Sequence, residues 1–374
     1  MNHPALEIDY DPSDELKLRY ELLCRQKPSL RAHDAARELN VSEAELVASR
    51  ADDTSFHLLD RPEAILKALE KVGEILLVTR NEAAVLEKRG HLRNLSFNTQ
   101  NGLLTGQNSG TGIDLRLLLN NWRYGFLVID EANVGRSQSL QFFDASGQVV
   151  QKVYLTQNSN EIAFAKLVSQ FISPNQPTFL DIVSEKPRNP SMPEQSVQWH
   201  KVRESWQEMQ SSYDFFQLLI GSQVTRQQAY DNVGRDLAYE IVPSALEDLC
   251  QLASKTGLTL TFAVSNKGSM QFHCAAVGKI REHGGWLNIL GEDVNLHINS
   301  RCLAQGWVVR KPNQGNPVTS VEFFDHDDQL VLQISAEQCV ATPESTQWQN
   351  LVAQLQPRSL NVTALKVYDA GLPA

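Results

Sequence analysis

The stretch SLQFFDASGQVVQKV at residues 139–153 occurs a second time as SVEFFDHDDQLVLQI at residues 320–334. Every position is displaced by 181 residues, six of the fifteen are identical, and three more exchange Val, Leu and Ile. Each copy has the strand-like apolar residues and the Asp-initiated turn that are typical of a β-hairpin. The repeated hairpin is therefore the starting point for predicting the fold.

The similarity continues beyond the hairpin on both sides. Three flanking pairs match in the same order: ALEKVGEILLVTRN at 68–81 with QLASKTGLTLTFAVSN at 251–266, DLRLLLNNW at 114–122 with NLHINSRCLAQGW at 295–307, and KLVSQF at 166–171 with NLVAQL at 350–355. A period near 180 residues is far longer than that of a solenoid or propeller repeat. The sequence therefore predicts a duplicated domain, whose copies cover about 70–171 and 250–355.

Both halves show the same order of secondary structure. In each half, helical segments precede a run of seven to nine short strands separated by turns, and one more helix follows. Helices grouped before a meander of strands predict an α+β fold with an antiparallel sheet. Residues 173–195 contain five prolines, which indicates a linker. We therefore predict an N-terminal repeat at 1–172 and a C-terminal repeat at 196–374.

Capping signals predict where individual helices begin and end. SEAE at 42–45 and TRQQ at 225–228 have the spacing of a capping box. Asp60 is predicted to cap the helix that follows it, with Gly73 as its end, and Gly257 is predicted to end a later helix.

The composition excludes several classes of protein. The chain has 374 residues and a net charge of −10, which argues against a general nucleic-acid binder because no overall cationic field attracts phosphates. No apolar run approaches the roughly 20 residues of a membrane span, and the N-terminus lacks the features of a signal peptide. The five cysteines are dispersed without a CxxC pair, so we expect neither a disulfide framework nor a zinc cluster and predict a cytoplasmic protein.

The motifs of common enzyme classes are missing, and basic residues are the more informative feature. The chain has no GxSxG, GxGxxG, P-loop or HExxH motif, and its nine histidines are dispersed. Arg116 lies in an apolar strand-like run, Arg226 lies in the first turn of a predicted helix, and Lys311 ends a predicted strand. An unpaired cation in an apolar run is costly, and a cation at a helix N-terminus opposes the helix dipole. Surface cations at element ends explain each one equally well, so the residues alone leave their role open.

The order of motifs resembles one family. Eight segments carry the resemblance: RNEAAV at 80–85, DLRLLLNNW at 114–122, SLQFFDASGQVVQKVY at 139–154, DFFQLL at 214–219, TRQQAYDNV at 225–233, GWLNI at 285–289, NLHI at 295–298 and WVVRKP at 307–312. Together they are similar to the cytoplasmic hemin-handling proteins called HemS, ChuS, ShuS or PhuS. The resemblance implies two halves with large saddle-like antiparallel sheets flanked by helices, and heme b (hemin) held between the C-terminal sheet and a helix.

The resemblance also implies a site. A histidine just before the helix that matches DFFQLL holds the heme iron in the family, and Tyr213 stands at that position here. The heme-contacting basic residues of the family correspond to Arg116, Arg226 and Lys311, all of which are retained. Tyr213 is therefore the predicted iron ligand, with His200 on the preceding helix as a weaker alternative. Heme needs apolar walls, cations for its carboxylates and an axial donor.

Three other positions depart from the family. A second histidine in the N-terminal half is Leu86 here, and a Tyr and an Arg that contact heme correspond to Ser335 and Gln338. Three functions therefore remain open: heme binding and delivery, opening of the porphyrin ring with release of iron, and a divergent scaffold that no longer binds heme. We place delivery first, because an axial phenolate favours ferric iron over the redox cycling that degradation needs. A heme importer or a downstream heme oxygenase is the implied partner.

Overall fold

The computed structural model describes residues 12–28, 30–51, 53–100, 103–108, 112–132, 135–184, 192–210, 212–313, 316–337 and 343–355. The helices are α1 (Pro12–Gln26), α2 (Ala32–Leu39), α3 (Glu43–Ala48), α4 (Pro62–Leu69), α5 (Glu161–Phe171), α6 (Trp199–Gln207), α7 (Ser212–Ser222), α8 (Arg226–Asn232), α9 (Ala245–Thr256) and α10 (Thr346–Ala353). The N-terminal strands are β1 (Ser55–His57), β2 (Gly73–Arg80), β3 (Ala84–His91), β4 (Ser96–Gln100), β5 (Leu103–Asn108), β6 (Asp114–Leu118), β7 (Tyr124–Ala132), β8 (Gly135–Phe143) and β9 (Val149–Ser159). The C-terminal strands are β10 (Ala238–Ile241), β11 (Thr259–Ser265), β12 (Ser269–Ala276), β13 (Lys279–His283), β14 (Trp286–Leu290), β15 (Val294–Asn299), β16 (Gln305–Asn313), β17 (Asn316–Phe324) and β18 (Leu330–Ala336).

The strands form two nine-stranded antiparallel sheets with corresponding orders. The N-terminal sheet has the order β1-β7-β8-β9-β2-β3-β15-β14-β13, and the C-terminal sheet has the order β10-β16-β17-β18-β11-β12-β6-β5-β4. Each strand of one sheet has its repeat counterpart at the same place in the other. The predicted α+β duplication is therefore confirmed.

The two halves exchange three strands, which the sequence did not predict. Strand β6 of the N-terminal half pairs with β12, and β15 of the C-terminal half pairs with β3. The registers agree with the repeat, because Arg116 lies opposite Met270 and His297 lies opposite Val85. Each sheet is therefore completed by strands from the other half.

Each sheet contains strands of both halves, but each of the two largest hydrophobic cores is built almost entirely from one half. One core joins α4, α5 and strands of the N-terminal half only. Another joins α9, α10 and strands of the C-terminal half, with only Ala83, Ala84 and Leu86 from the other half. Strand pairing therefore joins residues on opposite sides of the predicted domain limits at 172 and 196, whereas core packing stays largely on one side. These limits stay a prediction.

Two asparagines join the halves reciprocally beside the pseudo-twofold axis. The side-chain amide of Asn81 donates to the carbonyls of Ser265 and Val331, at 3.0 and 2.8 Å. The amide of Asn266 donates in the same way to the carbonyls of Arg80 and Val150, at 3.0 and 2.8 Å. Both side-chain oxygens accept from two backbone N–H groups that follow them. The pair therefore satisfies carbonyls that the opposite half presents.

Most of the predicted helix ends are found. Both capping boxes are present, at Ser42 and at Thr225, and Gly257 ends α9 with a φ of 65°. The prediction for α4 was wrong at both ends. Its N-cap is Arg61 instead of Asp60, and the helix stops at Leu69, before Gly73, which begins β2 with a φ of 82°. Pro62 at the first helical position explains the later start, because its fixed φ suits that position.

Candidate functional site

Arg226 owes its position to the capping box of α8. The Thr225 hydroxyl accepts from the Gln228 backbone N–H at 3.1 Å, and the Gln228 side chain accepts from the Thr225 N–H at 2.9 Å. These two bonds fix the first turn of a seven-residue helix. Arg226 follows the cap directly, so its guanidinium projects toward the C-terminal sheet.

Lys311 and Glu322 lie on neighbouring strands of that sheet. Glu322 in β17 lies opposite Trp307 in β16, and Lys311 is four residues further along β16 on the same face. The Lys311 ammonium donates to Oε1 of Glu322 at 2.7 Å. The pairing of β16 with β17 thus places a cation beside a carboxylate.

Glu322 is fully buried and accepts four hydrogen bonds. Its Oε1 accepts from Lys311 and, at 2.9 Å, from the Ser320 hydroxyl. Its Oε2 accepts from the Tyr230 hydroxyl at 2.6 Å and from Nη1 of Arg226 at 3.4 Å. A buried carboxylate with this many charged and polar donors is stable as an anion.

The charges of this cluster shift one another's protonation. Burial raises the pKa of Glu322, but the charges of Lys311 and Arg226 outweigh burial and lower it to about 2. Burial lowers the pKa of Lys311, and Arg226 lowers it further, while Glu322 opposes both. Burial and the nearby carboxylate raise the pKa of Tyr230 well above its ordinary value. The cluster therefore contains a permanent anion, a neutral phenol and two cations.

Phe215 of α7 packs beside both cations. The Lys311 ammonium lies 4.3 Å from the centre of its ring, and the Arg226 guanidinium carbon lies 5.1 Å from it. The exposed fraction of the side chain is 28% for Arg226 and 14% for Lys311, so part of each cation still faces outward. Phe215 itself is buried in the core, so its ring holds both cations from the protein side, and their exposed parts offer donors to an anionic group.

The predicted iron ligand lies near this cluster along the chain. Tyr213 is the second residue of α7, two positions before Phe215, and its side chain lies outside the described part of the structure. His200 is exposed on α6, whose buried residues are Val202 and Trp206. The position of Tyr213 on the helix that supplies Phe215 fits the prediction better than that of His200.

Arg116 lies apart from the other two cations. Alternation along the paired strands puts it on the same face of the C-terminal sheet as Lys311. Five strand-to-strand steps separate β16 from β6, which is roughly 24 Å along the sheet. Its side chain is 45% exposed, donates to Asp114 at 2.7 Å and lies over the Phe272 ring at 5.4 Å. The structure therefore brings two of the three predicted cations together and places the third across the same face.

A cleft of about 850 Å³ opens where the two halves meet. Arg226 lines it together with Phe216 and Leu219 of α7, whereas Lys311 and Arg116 do not. Phe216 is 44% exposed, so this side of α7 presents an aromatic ring to the cleft. The predicted single cavity lined by all three cations is therefore not found, since Arg226 alone of the three lines this cleft.

The departures from the family have clear structural settings. Leu86 is fully buried in the C-terminal core, so no ligand approaches it. Ser335 is buried in β18 and its hydroxyl donates to the carbonyl of Ala336 at 3.2 Å. Gln338 lies outside the described residues. None of these positions supplies a described cation for a carboxylate.

Glu322 and Tyr230 are site residues that the sequence analysis missed. One signal was present: the two copies of the hairpin read SLQFF and SVEFF, so a carboxylate replaces Gln141 at a position of the strand that faces the helices. The partners of that carboxylate, Lys311 and Arg226, are 11 and 96 residues away in the sequence, so they meet it only once the chain is folded.

Two features are absent from the described part of the chain. No helix in that part of the chain is long and apolar enough to cross a membrane. No group of three or more His, Cys, Asp or Glu side chains there is arranged to hold a metal ion.

The comparisons with known proteins agree with the fold. The family model described as the haemin-degrading HemS/ChuX domain matches twice, at residues 40–171 and 223–355. The hemin transport protein HemS of Yersinia enterocolitica is 34% identical over 333 residues, which cover 89% of this chain and 95% of that protein. Two solved structures match over the whole of their own length. Holo-PhuS, a heme-binding protein from Pseudomonas aeruginosa, matches 93% of this chain with a TM-score of 0.89 and 31% identity. The heme-degrading enzyme ChuS of Escherichia coli O157:H7 matches 92% of this chain with a TM-score of 0.85 and 32% identity.

Proposed function

Because this chain belongs to the HemS/ChuX family of haemin-degrading domains, we propose that it binds heme on the face of the C-terminal sheet that carries Lys311 and Glu322. Its role in this proposal is to carry heme in the cytoplasm, between an importer and a downstream heme oxygenase. Relatives described as a hemin transport protein and as a heme-binding protein support the ligand.

One observation carries the proposal. Arg226 and Lys311 are 85 positions apart in the chain, yet they meet at one buried carboxylate beside the Phe215 ring. Heme is a flat apolar ligand with two carboxylates, so it needs an apolar wall next to cationic donors. The partly exposed cations suit a propionate, and Phe216, which is exposed on α7, suits the porphyrin.

Tyr213 is the proposed iron ligand. A phenol has an ordinary pKa near 10, so ligation needs ferric iron or nearby cations that stabilise the phenolate. Arg226 and Lys311 are cations that approach the same helix at Phe215. An anionic oxygen donor favours ferric over ferrous iron, which lowers the reduction potential and hinders oxygen activation. We therefore propose delivery as the function.

Heme degradation is the second candidate, because ChuS is described as a heme-degrading enzyme and is similar over 92% of this chain. The two candidates differ in the products formed when the hemin complex receives a reductant and oxygen. Delivery predicts that hemin is recovered intact, and degradation predicts released iron and an opened ring.

A hemin titration followed by absorbance tests the ligand assignment. We expect a new Soret band with wild type and a ferric-phenolate charge-transfer band that Tyr213→Phe abolishes. His200→Ala is the control and should keep both bands. A wild-type protein that leaves the spectrum of free hemin unchanged contradicts heme binding. Identical spectra for wild type and Tyr213→Phe contradict only the role of Tyr213.

A further inference from the structure

The cluster around Glu322 carries more positive than negative charge. Two cations, Arg226 and Lys311, share one fully buried carboxylate, so the formal charge of the three groups is +1. Lysine has three N–H donors and arginine has five, and the bonds to Glu322 use one of each. Donors therefore remain for a ligand, although the net charge is that of a single cation.

The other half of the chain shows that the fold does not need this carboxylate. Gln141 is the repeat counterpart of Glu322, and its side-chain amide donates to the Ser139 hydroxyl at 3.0 Å. Gln141 is buried on the corresponding face of its own sheet. At the positions equivalent to Arg226 and Lys311 that half has Glu43 and Asp130, so a neutral amide fits the hairpin where the cations are absent, and the carboxylate of Glu322 goes with the two cations.

We propose that Glu322 is a positioning residue that fixes the charge class of the ligand. By holding Arg226 and Lys311 together at a net charge of +1, it makes this rim accept a single carboxylate and reject a dianion such as a phosphate group. The inference rests on the proposed function and deepens it, since each heme propionate is a single carboxylate.

The physical reason is the competition between the ligand and Glu322. A carboxylate brings one negative charge, which the net positive charge of the cluster balances. A dianion brings a second negative charge within a few ångströms of a buried anion, where repulsion is poorly screened. Discrimination against dianions therefore comes from Glu322 and not from the cations.

Glu322 also keeps Lys311 charged and in place. The charged and titratable groups that face Lys311 are Glu322 from β17 and Arg226 and Tyr230 from α8. Of these, Glu322 favours the protonated amine, and Arg226 disfavours it. Removing the carboxylate leaves a buried lysine beside an arginine, so the amine should lose its proton more readily.

Two variants separate this role from simple packing. Glu322→Gln removes the charge and installs the residue found at the counterpart position, so we expect it to fold. Tyr230→Phe removes one hydrogen bond to Glu322 and leaves every charge, so it is the matched control. The rate of Lys311 acetylation by acetic anhydride, measured by mass spectrometry with and without inorganic phosphate, gives a readout that does not depend on hemin.

In Glu322→Gln, we expect Lys311 to be acetylated at least about tenfold faster at pH 8, since one unit of pKa is a factor of ten in the neutral amine. Phosphate should slow that acetylation in Glu322→Gln but not in wild type or Tyr230→Phe. Phosphate should also weaken hemin binding in Glu322→Gln alone, with acetate at equal ionic strength as the reference.

Unchanged Lys311 reactivity in Glu322→Gln, or equal phosphate protection in wild type, would overturn the proposal. A wild-type protein that fails to bind hemin overturns the proposed function instead, and the acetylation experiment still decides the role of Glu322.

Discussion

The two halves share a fold but have opposite charges at equivalent positions. Glu43 follows the Ser42 cap in the N-terminal half, where Arg226 follows the Thr225 cap in the C-terminal half. Asp130 takes the place of Lys311, and Gln141 that of Glu322. The caps and hairpins are built in the same way in both halves, whereas two of these three positions carry opposite charges and the third is neutral in one half.

The equivalent carboxylates of the N-terminal half, Glu43 and Asp130, pair with cations of the same half. Glu43 is buried and pairs with Lys152, whose charge outweighs the effect of burial and lowers the pKa of the carboxyl. Burial lowers the pKa of Lys152, but Glu43 outweighs it in turn and raises that pKa. Asp130 accepts from Arg50 at 3.1 Å. In the N-terminal half each of these carboxylates has its own cation, whereas Arg226 and Lys311 share the single carboxylate of Glu322, which is why we propose ligand binding at the C-terminal half.

The largest expected effect comes from separating the halves. Residues 196–374 alone lack β4, β5 and β6, so β12 becomes an open edge. The counterpart unit of a second copy, β13 to β15, has the matching register, because His297 pairs with Val85 as Arg116 pairs with Met270. We expect the isolated half to form a strand-exchanged dimer and no stable monomer.

Light scattering coupled to size-exclusion chromatography measures this outcome, with the full chain as the control. An isolated half that is a folded monomer, with a Tm equal to that of the full chain, would show that the exchange is dispensable.

The next effect compares the two asparagines at the junction. Each side chain donates two hydrogen bonds to the opposite half and accepts two from its own. Asn81→Ala and Asn266→Ala should each lower the free energy of unfolding by about 2–4 kcal/mol, since buried carbonyls lose their donors. Urea unfolding of both variants measures the loss. A difference of more than about 2 kcal/mol between them would mean that the halves are not held symmetrically.

Removing the charge at the same position in each half tests which half binds hemin. Lys311→Met should weaken hemin binding by roughly 1.5–3 kcal/mol, the loss of one charge-assisted hydrogen bond. Asp130→Asn, at the equivalent position, should leave hemin affinity unchanged. Fluorescence quenching on titration with hemin measures both, and circular dichroism checks that each variant is folded. Equal losses for the two variants would contradict the assignment of the site to one half.

The smallest effect concerns an acidic group that only the C-terminal half has. Partial desolvation of its carboxyl group first, and then Glu240 and Glu194, raise the pKa of Asp231 in α8 to about 6. A raised carboxyl pKa costs stability as pH rises through it, and the cost is absent below the unfolded value. Asp231→Asn should therefore raise the free energy of unfolding at pH 8 and leave it unchanged at pH 4. Because the residue is exposed, we expect only about 0.5 kcal/mol; an equal effect at both pH values would contradict the stated cause.

Local signals predicted much of this fold. The capping boxes at Ser42 and Thr225 and the repeated hairpin depend on residues within a few positions, so the sequence contains all their determinants. The exchange of strands depends on which edge β6 meets after folding, and two similar repeats offer two similar edges. The sequence pattern therefore predicted where the strands lie but not which strands pair with one another.

The residues of the site likewise divide into those that local sequence predicted and those that it did not. Arg226 and Lys311 were predicted by their place in the motifs, and the structure brings them together. Glu322 was read only as part of a hairpin, because its partners lie on another strand and another helix. Arg116 was expected in the same cavity, yet its strand joins the sheet five steps away from β16. Long-range placement of this kind has no local sequence signal.

We propose that the charged residues, and not the fold, direct hemin to the C-terminal half. This proposal is tested by a hemin titration of a variant that carries the N-terminal residues at four equivalent positions: Arg226→Glu, Lys311→Asp, Glu322→Gln and Gln333→Lys, the last being the counterpart of Lys152. Wild type should bind one hemin per chain. The variant should fold and bind at least about a hundredfold more weakly, because two charge-assisted bonds are lost. A folded variant with wild-type affinity, or a wild type with two equal hemin sites, would contradict the account.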